Sequence, residues 1–511
     1  MTGAPLPARF NLARHCLARA AAATPDKVAL IVVSDVAAPI EAAERWTYAA
    51  LDEAVRRVAA GLLAEGFRPG DRLVMRLPND SDYALVFLGA LAAGIVPIPL
   101  STQLTEPEVA FLVADADAAA IVQPSAEGVG AGRRRIIDAA ALRRMKSVAP
   151  LAAYADTAGE DPAYMIYTSG TSGRPKGVVH AHRVALGRAP MHADWEGIGP
   201  DDVMLHAGAF NWSYTLGVGL IDPWSVGATA VLYNGEKDPA VWPRLMAISH
   251  ASHFAAVPSL YRQILKYARP ARGDIPALRR CLAAGEALSP AVLSDWRDAT
   301  GLAIHEAFGM SECSTFVSNR EGLPIRPGSP GKPQRGRRIS VISEGDDPVE
   351  LPPGEVGLLA IHRSDPGLML GYWSRPDEDA RVYRGEWFAG GDLAAFDADG
   401  YLWHHGRADD VMNAGGYRVS PLEVEAALAD CPGISEVAVA EIRPRPDVSI
   451  VAAFIVRQPG SAMDSQAILA HAETRLAAYK RPREVVFVDA LPRSRNGKLI
   501  RRALAGFVPK S

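Results

Sequence analysis

Apolar runs of strand length alternate with helically spaced apolar residues as far as Val122. That alternation constrains the fold more than any other feature of the chain. Phe10 to Ala22 reads as an amphipathic helix, and Val28 to Val33 has the length and β-branching of a strand. Leu51, Val55, Val58 and Leu62 lie at helical spacing behind Trp46-Thr47-Tyr48, and Gly66 ends that helix. Arg72 to Leu77 is strand-like. The longest apolar run, Ala84 to Leu100, is broken by Gly89, Gly94, Pro97 and Pro99, so it predicts a buried helix through Ala93 leading into a strand, not a membrane span. Strand and helix taking turns predict an α/β layered fold with parallel strands.

Residues 124–160, richer in small and charged residues, are expected to be a connector. The alternation then resumes: Val203 to Leu205 and Ala228 to Tyr233 read as strands, and Trp242 to Ile248 as a helix. His253 to Val257 and Arg280 to Ala284 read as strands ending in the loops Pro258-Ser259 and Gly285-Glu286. Ligands of open α/β sheets sit outside the carboxyl ends of strands, which makes those loops candidate binding elements. Short strands and Pro/Gly turns from Ile339 to Phe396 predict a β-rich subdomain. Residues 410–511 predict a small α+β domain with helices Pro421 to Leu428 and Asp464 to Ala478 and strands Val437 to Ala440, Ile450 to Val456 and Glu484 to Val488. The expected fold class is therefore α/β: a large N-terminal domain of layered subdomains plus a β-rich part, followed by a small C-terminal α+β domain.

Composition narrows the function classes. With 49% apolar and 22% charged residues the chain is ordinary for a globular protein, and a net charge of −4 gives no support to a general nucleic-acid binder. Cys16, Cys281, Cys313 and Cys431 are too widely spaced for a C-x-x-C motif or a disulfide framework, which fits a reducing cytoplasm. Arg9, Arg14, His15 and Arg19 interrupt any secretory pattern at the N-terminus.

The chemistry concentrates in Tyr167-Thr168-Ser169-Gly170-Thr171-Ser172-Gly173-Arg174-Pro175-Lys176-Gly177, between the apolar runs Met165-Ile166 and Val178-Val179. Four Ser/Thr hydroxyls, three glycines and two cations in eleven residues can form a nest for a multiply charged anion such as a phosphate chain. Pro175 before Lys176 excludes a P-loop. On these residues alone, a mobile surface loop is an equal alternative.

The same run resembles the signature of the adenylate-forming superfamily, which includes acyl-CoA synthetases, peptide-synthetase adenylation domains and luciferases. Further motifs follow in family order over nearly the whole chain. The resemblance implies that Thr168, Ser169, Gly170, Thr171, Ser172, Gly173 and Lys176 clamp the pyrophosphate portion of ATP. Gly285, Glu286 and Ala287 resemble the turn that packs on adenine. Glu306, Ala307, Phe308, Gly309, Met310, Ser311 and Glu312 resemble the Tyr-Gly-x-Thr-Glu motif, with Phe308 for Tyr and Ser311 for Thr. Here Phe308 would stack on adenine, Ser311 would reach the α-phosphate or carboxylate, and Glu312, with Thr168, would hold Mg²⁺. Asp392 and Arg407 resemble the ribose-binding pair, and Asp409 falls at the family's hinge. Domains of 1–408 and 409–511 are thus expected, the second one mobile. Gly415, Gly416 and Tyr417 resemble the loop flanking the pantetheine tunnel, Arg418 would approach the phosphates, and Lys498 matches the catalytic lysine.

Phe210-Asn211-Trp212 resembles the acyl-pocket motif of medium-chain and aromatic acyl-CoA synthetases, in which Trp212 would gate between pocket and tunnel. Neutral Asn211 argues against an α-amino acid. Val257, Pro258, Gly285, Met310 and Phe316, with Tyr214, would complete an apolar pocket for an aromatic, alicyclic or medium-chain acid. The implied reaction joins a carboxylic acid to coenzyme A through an acyl-adenylate, with ATP and Mg²⁺. The implied partners are small molecules, an acyltransferase or deacylase acting on Lys498, and a homodimer, although oligomeric state is not readable from the residues. Two alternatives stay open: loading of a separate carrier protein or amine acceptor, acting in trans because no carrier-like segment follows, and a non-catalytic nucleotide-binding relative.

Overall fold

The computed structural model describes residues 7–507 except 126–134, 170–174, 237, 346, 409, 411, 415, 416, 446, 447, 477, 494–496 and 498. The chain forms two compact units, one of residues 1–339 with 361–381 and one of 340–360 with 382–511.

The first unit is built on a nine-stranded sheet. Its order is Lys332–Pro333, Ser314–Ser318, Ile304–Met310, Arg280–Ala284, His253–Ala256, Val203–His206, Thr229–Tyr233, Val28–Val33 and Glu44–Thr47. The six strands from Ile304–Met310 to Val28–Val33 run parallel, and antiparallel strands close both edges. A second, parallel sheet has the order Val96–Pro99, Arg72–Met75, Ala120–Val122, Arg135–Ile137. Strand alternation sorts the core. Leu30, Val32 and Leu232 of the large sheet share one cluster with Leu73, Met75 and Val122 of the second, through helices Leu12–Ala23, Tyr48–Ala64 and Ser81–Ala92. The intervening residues Ile31, Val33 and Val231 face the opposite cluster with helices Val241–Ile248, Pro258–Tyr267 and Pro290–Thr300. Strands covered on both faces read as continuous apolar runs, and these do.

Three expectations are corrected here. The connector 124–160 contains strand Arg135–Ile137 and helix Ala139–Met145, whose Leu142 and Met145 are buried; elements this short carry too little periodicity to be seen. Pro258-Ser259 is not a loop but the first turn of helix Pro258–Tyr267, where a missing N–H costs nothing. The last helix spans only Ser465–Glu473, with a short 3₁₀ turn at Ala478–Lys480.

The second unit contains a five-stranded sheet ordered Ile339–Ile342, Gly357–His362, Trp387–Phe396, Tyr383–Arg384, with Leu402–Arg407 paired to Trp387–Phe396. It also holds a three-stranded sheet of Ile434–Arg445, Val448–Arg457 and Glu484–Phe487, covered by helices Pro421–Leu428 and Ser465–Glu473 around Val424, Leu428, Val439 and Ile468. No helix among the described residues is long and apolar enough to cross a membrane.

Candidate active site

The anion-nest run is the connection of an antiparallel hairpin. Pro162–Ser169 pairs with Pro175–Ala181, placing Thr168 opposite Lys176 and Ser169 opposite Pro175. Gly170, Thr171, Ser172, Gly173 and Arg174 lie outside the described residues, as does the Ser169 side chain. The base of the hairpin is firmly held. A Cβ at Gly177 would strike the Met165 thioether. The Tyr167 hydroxyl donates to Asp115 at 2.8 Å. The Lys176 ammonium lies 2.5 Å from Glu378, whose carboxyl it holds below the usual range, and 5.1 Å above the Tyr372 ring. Strand Gly371–Tyr372 pairs with Val178–Val179, and the Tyr372 hydroxyl donates to Glu312 Oε1 at 2.7 Å. Tyr372 thus connects two motifs separated by more than a hundred residues.

Ser311-Glu312-Cys313 forms the turn between strands Ile304–Met310 and Ser314–Ser318. Its far end, Ser314, sits at φ +62°, in the left-handed region. Three buried groups hold the turn from beneath. His180, kept neutral by burial with its pKa lowered to about 4, donates from Nε2 to the Ser311 carbonyl at 2.8 Å. Arg337 bonds the Thr315 carbonyl at 2.6 Å, the Cys313 sulfur at 2.8 Å and Asp365. Arg188 takes both oxygens of Asp222 and gives its remaining terminal nitrogen to Ser314 Oγ. Glu196 is completely buried beside this pair, and burial, then the charge of Asp222, pushes its carboxyl well above the ordinary range. His192, Glu196 and Asp222 present their ligand atoms within 4.8 Å of one another. Arg188 already occupies both Asp222 oxygens, and burial favours the neutral form of Glu196.

Gly285, at φ +91°, turns the chain out of strand Arg280–Ala284 into the exposed Gly285–Ala287 segment. Two carboxylates anchor it. Glu286 accepts from the N–H and hydroxyl of Ser259, both at 3.1 Å, and so caps helix Pro258–Tyr267. Glu306, raised to about 7 by burial, accepts from the Leu288 N–H at 3.0 Å. These side chains brace the turn while its backbone and Ala287 stay open. Phe308 is half-buried and meets buried Phe316 edge-on, with ring centroids 5.7 Å apart; Ala307 is buried, and Met310 is half-exposed at the strand's end. A Cβ at Gly309 would overlap the Ser314 and Thr315 backbone.

Strand Val203–His206 ends where the aromatic motif begins. Phe210 is buried against Tyr83, whose hydroxyl donates to the Phe210 carbonyl at 2.7 Å, and Asn79 bonds Gly208 and Phe210 from the same side. Asn211, Trp212 and Tyr214 remain half-buried, while Val257 and Pro258 start the neighbouring helix.

In the second unit, Asp392 and Arg407 face each other across strands Trp387–Phe396 and Leu402–Arg407. Arg407 lies 3.3 Å from one Asp392 oxygen, and His404 Nε2 lies 3.0 Å from the other. Strands Met412–Ala414 and Tyr417–Val419 form a short hairpin pairing Asn413 with Arg418. Asp409, Gly415, Gly416 and Lys498 lie outside the described residues, as do the side chains of Tyr417 and Arg418. Next to Lys498, Arg493 donates to the Gly497 carbonyl at 2.8 Å and pairs with Glu436 at 2.6 Å.

Sequence reasoning missed Tyr372, Arg188, His180, Arg337 and His404. The first four act through partners remote in sequence, and His404 acts across a strand pair on Asp392, twelve positions away. Only Gly371-Tyr372-Trp373, an aromatic pair after a glycine, offered a local signal.

The hairpin and the carboxylate-bearing turn are joined through Tyr372, and comparison with known proteins identifies the class of protein that carries them. The model of the AMP-binding enzyme family matches residues 17–373, and that of the AMP-binding enzyme C-terminal domain matches 423–498. The chain belongs to this family of adenylate-forming enzymes. It is 34% identical over 488 residues to the benzoate–CoA ligase of Thauera aromatica, covering 90% of this chain and 91% of that one. ATP-bound MatB from Rhodopseudomonas palustris superposes with a TM-score of 0.89 at 27% identity, over 97% of this chain and 98% of that one. The anthranilate CoA ligase AuaEII, in complex with anthranoyl-AMP, gives 0.86 at 29% identity over 98% of both chains. This chain is an AMP-forming acid–CoA ligase that uses ATP, Mg²⁺ and coenzyme A.

Proposed function

We propose that this ligase activates an aromatic carboxylic acid, within a wider tolerance for alicyclic and medium-chain acids. The observation that carries the reading is the apolar, aromatic character of the acyl motif: buried Phe210 and Phe316 with half-exposed Trp212 and Met310 and neutral Asn211. Relatives named for benzoate and anthranilate support it.

In the first half-reaction the substrate carboxylate attacks the α-phosphorus of ATP and pyrophosphate departs. Lys176 and the hydroxyl loop hold the departing phosphates, Ser311 bonds the α-phosphate, and the Lys498 ammonium offsets repulsion between carboxylate and phosphate. Glu312 Oε1 accepts from Tyr372, which leaves Oε2 to join the Thr168 hydroxyl as a Mg²⁺ ligand, and the ion would neutralise phosphate charge. The region 409–511 then turns about Asp409, withdrawing Lys498 and bringing Gly415, Gly416 and Tyr417 to the pantetheine path. The coenzyme A thiolate attacks the acyl carbon, AMP leaves, and the thioester forms. Asp392 and Arg407 hold the ribose. Acylation of Lys498 would abolish its charge and switch off adenylation. Buried, unpaired cysteines support a cytoplasmic location, and a homodimer is the assembly to test by light scattering.

The test is a carboxylic-acid panel scored by coenzyme A-dependent AMP release. Benzoate-type acids should give the highest kcat/KM. A ranking led by unbranched fatty acids would overturn the aromatic assignment, and release driven by a carrier protein but not by coenzyme A would favour the carrier alternative.

A further inference from the structure

At the end of the nine-stranded sheet opposite Gly285 and the Ser311 turn, four arginines converge on a cavity of about 540 Å³. Arg279 and Arg280 enter at the start of strand Arg280–Ala284, and His305 near the start of Ile304–Met310. Arg297 comes from the last turn of helix Pro290–Thr300, and Arg320 with Glu321 from the segment after Ser318. No residue assigned above to adenylation or thioester formation lines it.

Arg280 is fixed before any ligand arrives. Its Nε donates to the Glu196 carbonyl at 3.0 Å and its Nη1 to His305 Nε2 at 2.8 Å. Because that His305 nitrogen accepts, the ring carries its proton on Nδ1, a buried donor without a partner. Arg280 Nη2 is left facing Glu321 at 3.6 Å, and that carboxylate is 89% exposed against 7% for the arginine. An exposed carboxylate at this distance compensates a buried guanidinium poorly. The guanidinium cannot discharge by losing a proton, although burial and the like charge of Arg279 oppose its charged form.

The surrounding charges do not cancel. Asp202 pairs with Arg279, and Glu321 is the one acid lining the cavity. Asp194, 3.9 Å from Arg320, is already bonded by Arg335. No carboxylate among the described residues lies within ion-pair distance of exposed Arg297. Asp202 and Glu321 offset two of the four arginines, which leaves a surplus of two positive charges around a pocket in which Arg280 keeps one pre-oriented nitrogen, Nη2.

The structure assigns this cavity to an anion bearing a diphosphate group, received by Arg280 and closed upon by Arg297 and Arg320. Two positive charges and planar donors match a diphosphate better than a lone carboxylate. The group can arrive as free pyrophosphate or as part of a nucleoside diphosphate. The assignment does not depend on the acyl or adenylate reading.

Calorimetric titration of the full chain, with the catalytic site filled by a non-hydrolysable ATP analogue, tests it. Inorganic pyrophosphate should show one further site that weakens as salt is raised. In R297Q/R320Q, which alters side chains outside the core, its affinity should fall by about tenfold or more, while R297K/R320K should retain it. ADP binding more tightly than pyrophosphate would identify a nucleotide as the source, and the reverse would identify the free diphosphate. Absence of the site, equal affinity for inorganic phosphate, or unchanged binding in R297Q/R320Q would overturn the assignment.

Discussion

Tyr372 shows how much of this site rests on single contacts. Its hydroxyl is the link between the lysine at the hairpin base and the carboxylate assigned to Mg²⁺. Tyr372→Phe keeps the ring under Lys176 and removes one hydrogen bond to a charged acceptor, worth about 1.5–3 kcal/mol. The expected outcome is a rise in KM for Mg·ATP of about tenfold or more, with the KM for coenzyme A unchanged, measured by initial rates. Equal shifts in both constants would mean that the tyrosine serves only the local fold. The residues that sequence could supply were those whose chemistry is written in a contiguous motif, such as Ser311 and Glu312. Tyr372 escaped because its function is a contact with a residue sixty positions away, and no periodicity encodes that. Glu286 and Glu306 add what the motif could not show: their carboxylates hold Ser259 and Leu288 and so shape the turn.

At the scale of elements, the Ser311–Cys313 turn depends on buried ions. Arg188→Ala would leave Asp222 charged in a dry interior and release Ser314. It should destabilise the protein by about 3–5 kcal/mol, read from urea unfolding. Glu196→Gln should stay within about 1 kcal/mol of the parent, because burial favours the neutral form of the carboxyl it replaces. A large loss in Glu196→Gln would show that Glu196 is ionised in the folded protein. The strands beneath this turn were readable because parallel strands buried on both faces become plain apolar runs. The helix at Pro258 and the short elements of 135–145 were not, since a proline opening a helix and a proline ending a strand look alike in one dimension.

At the scale of the molecule, two properties follow. His15, His180, His182, His253 and His305 are held at about 4 and His206 at about 3, in each case chiefly by burial. The unfolded chain protonates these rings below about 6.5 while the folded one does not, so stability falls as pH drops from 6.5 towards 4. Unfolding at pH 5.5 should take up on the order of five protons at these rings, less what Glu306 and Asp80, with raised values, already hold. The pH dependence of the unfolding free energy measures this directly, and a flat profile from pH 7 to 5 would contradict it. The proposed rotation about Asp409 has its own signature. Lys498→Ala should slow adenylate formation by about a hundredfold or more while leaving thioester formation from supplied acyl-adenylate nearly intact. Equal loss in both half-reactions would count against the rotation.

Sequence alone determined the layered α/β class, the anion-nest run and its partner motifs, because apolar periodicity and short glycine-rich runs are local properties of a chain. Tertiary structure decided which groups those motifs lean on: Tyr372 on Glu312, Arg188 on Ser314, His404 on Asp392. It also decided that four arginines from separate elements share one cavity. These are through-space pairings between different strands and turns, most of them far apart in sequence. Burial then sets their strength, by withdrawing water from charges that would otherwise be screened.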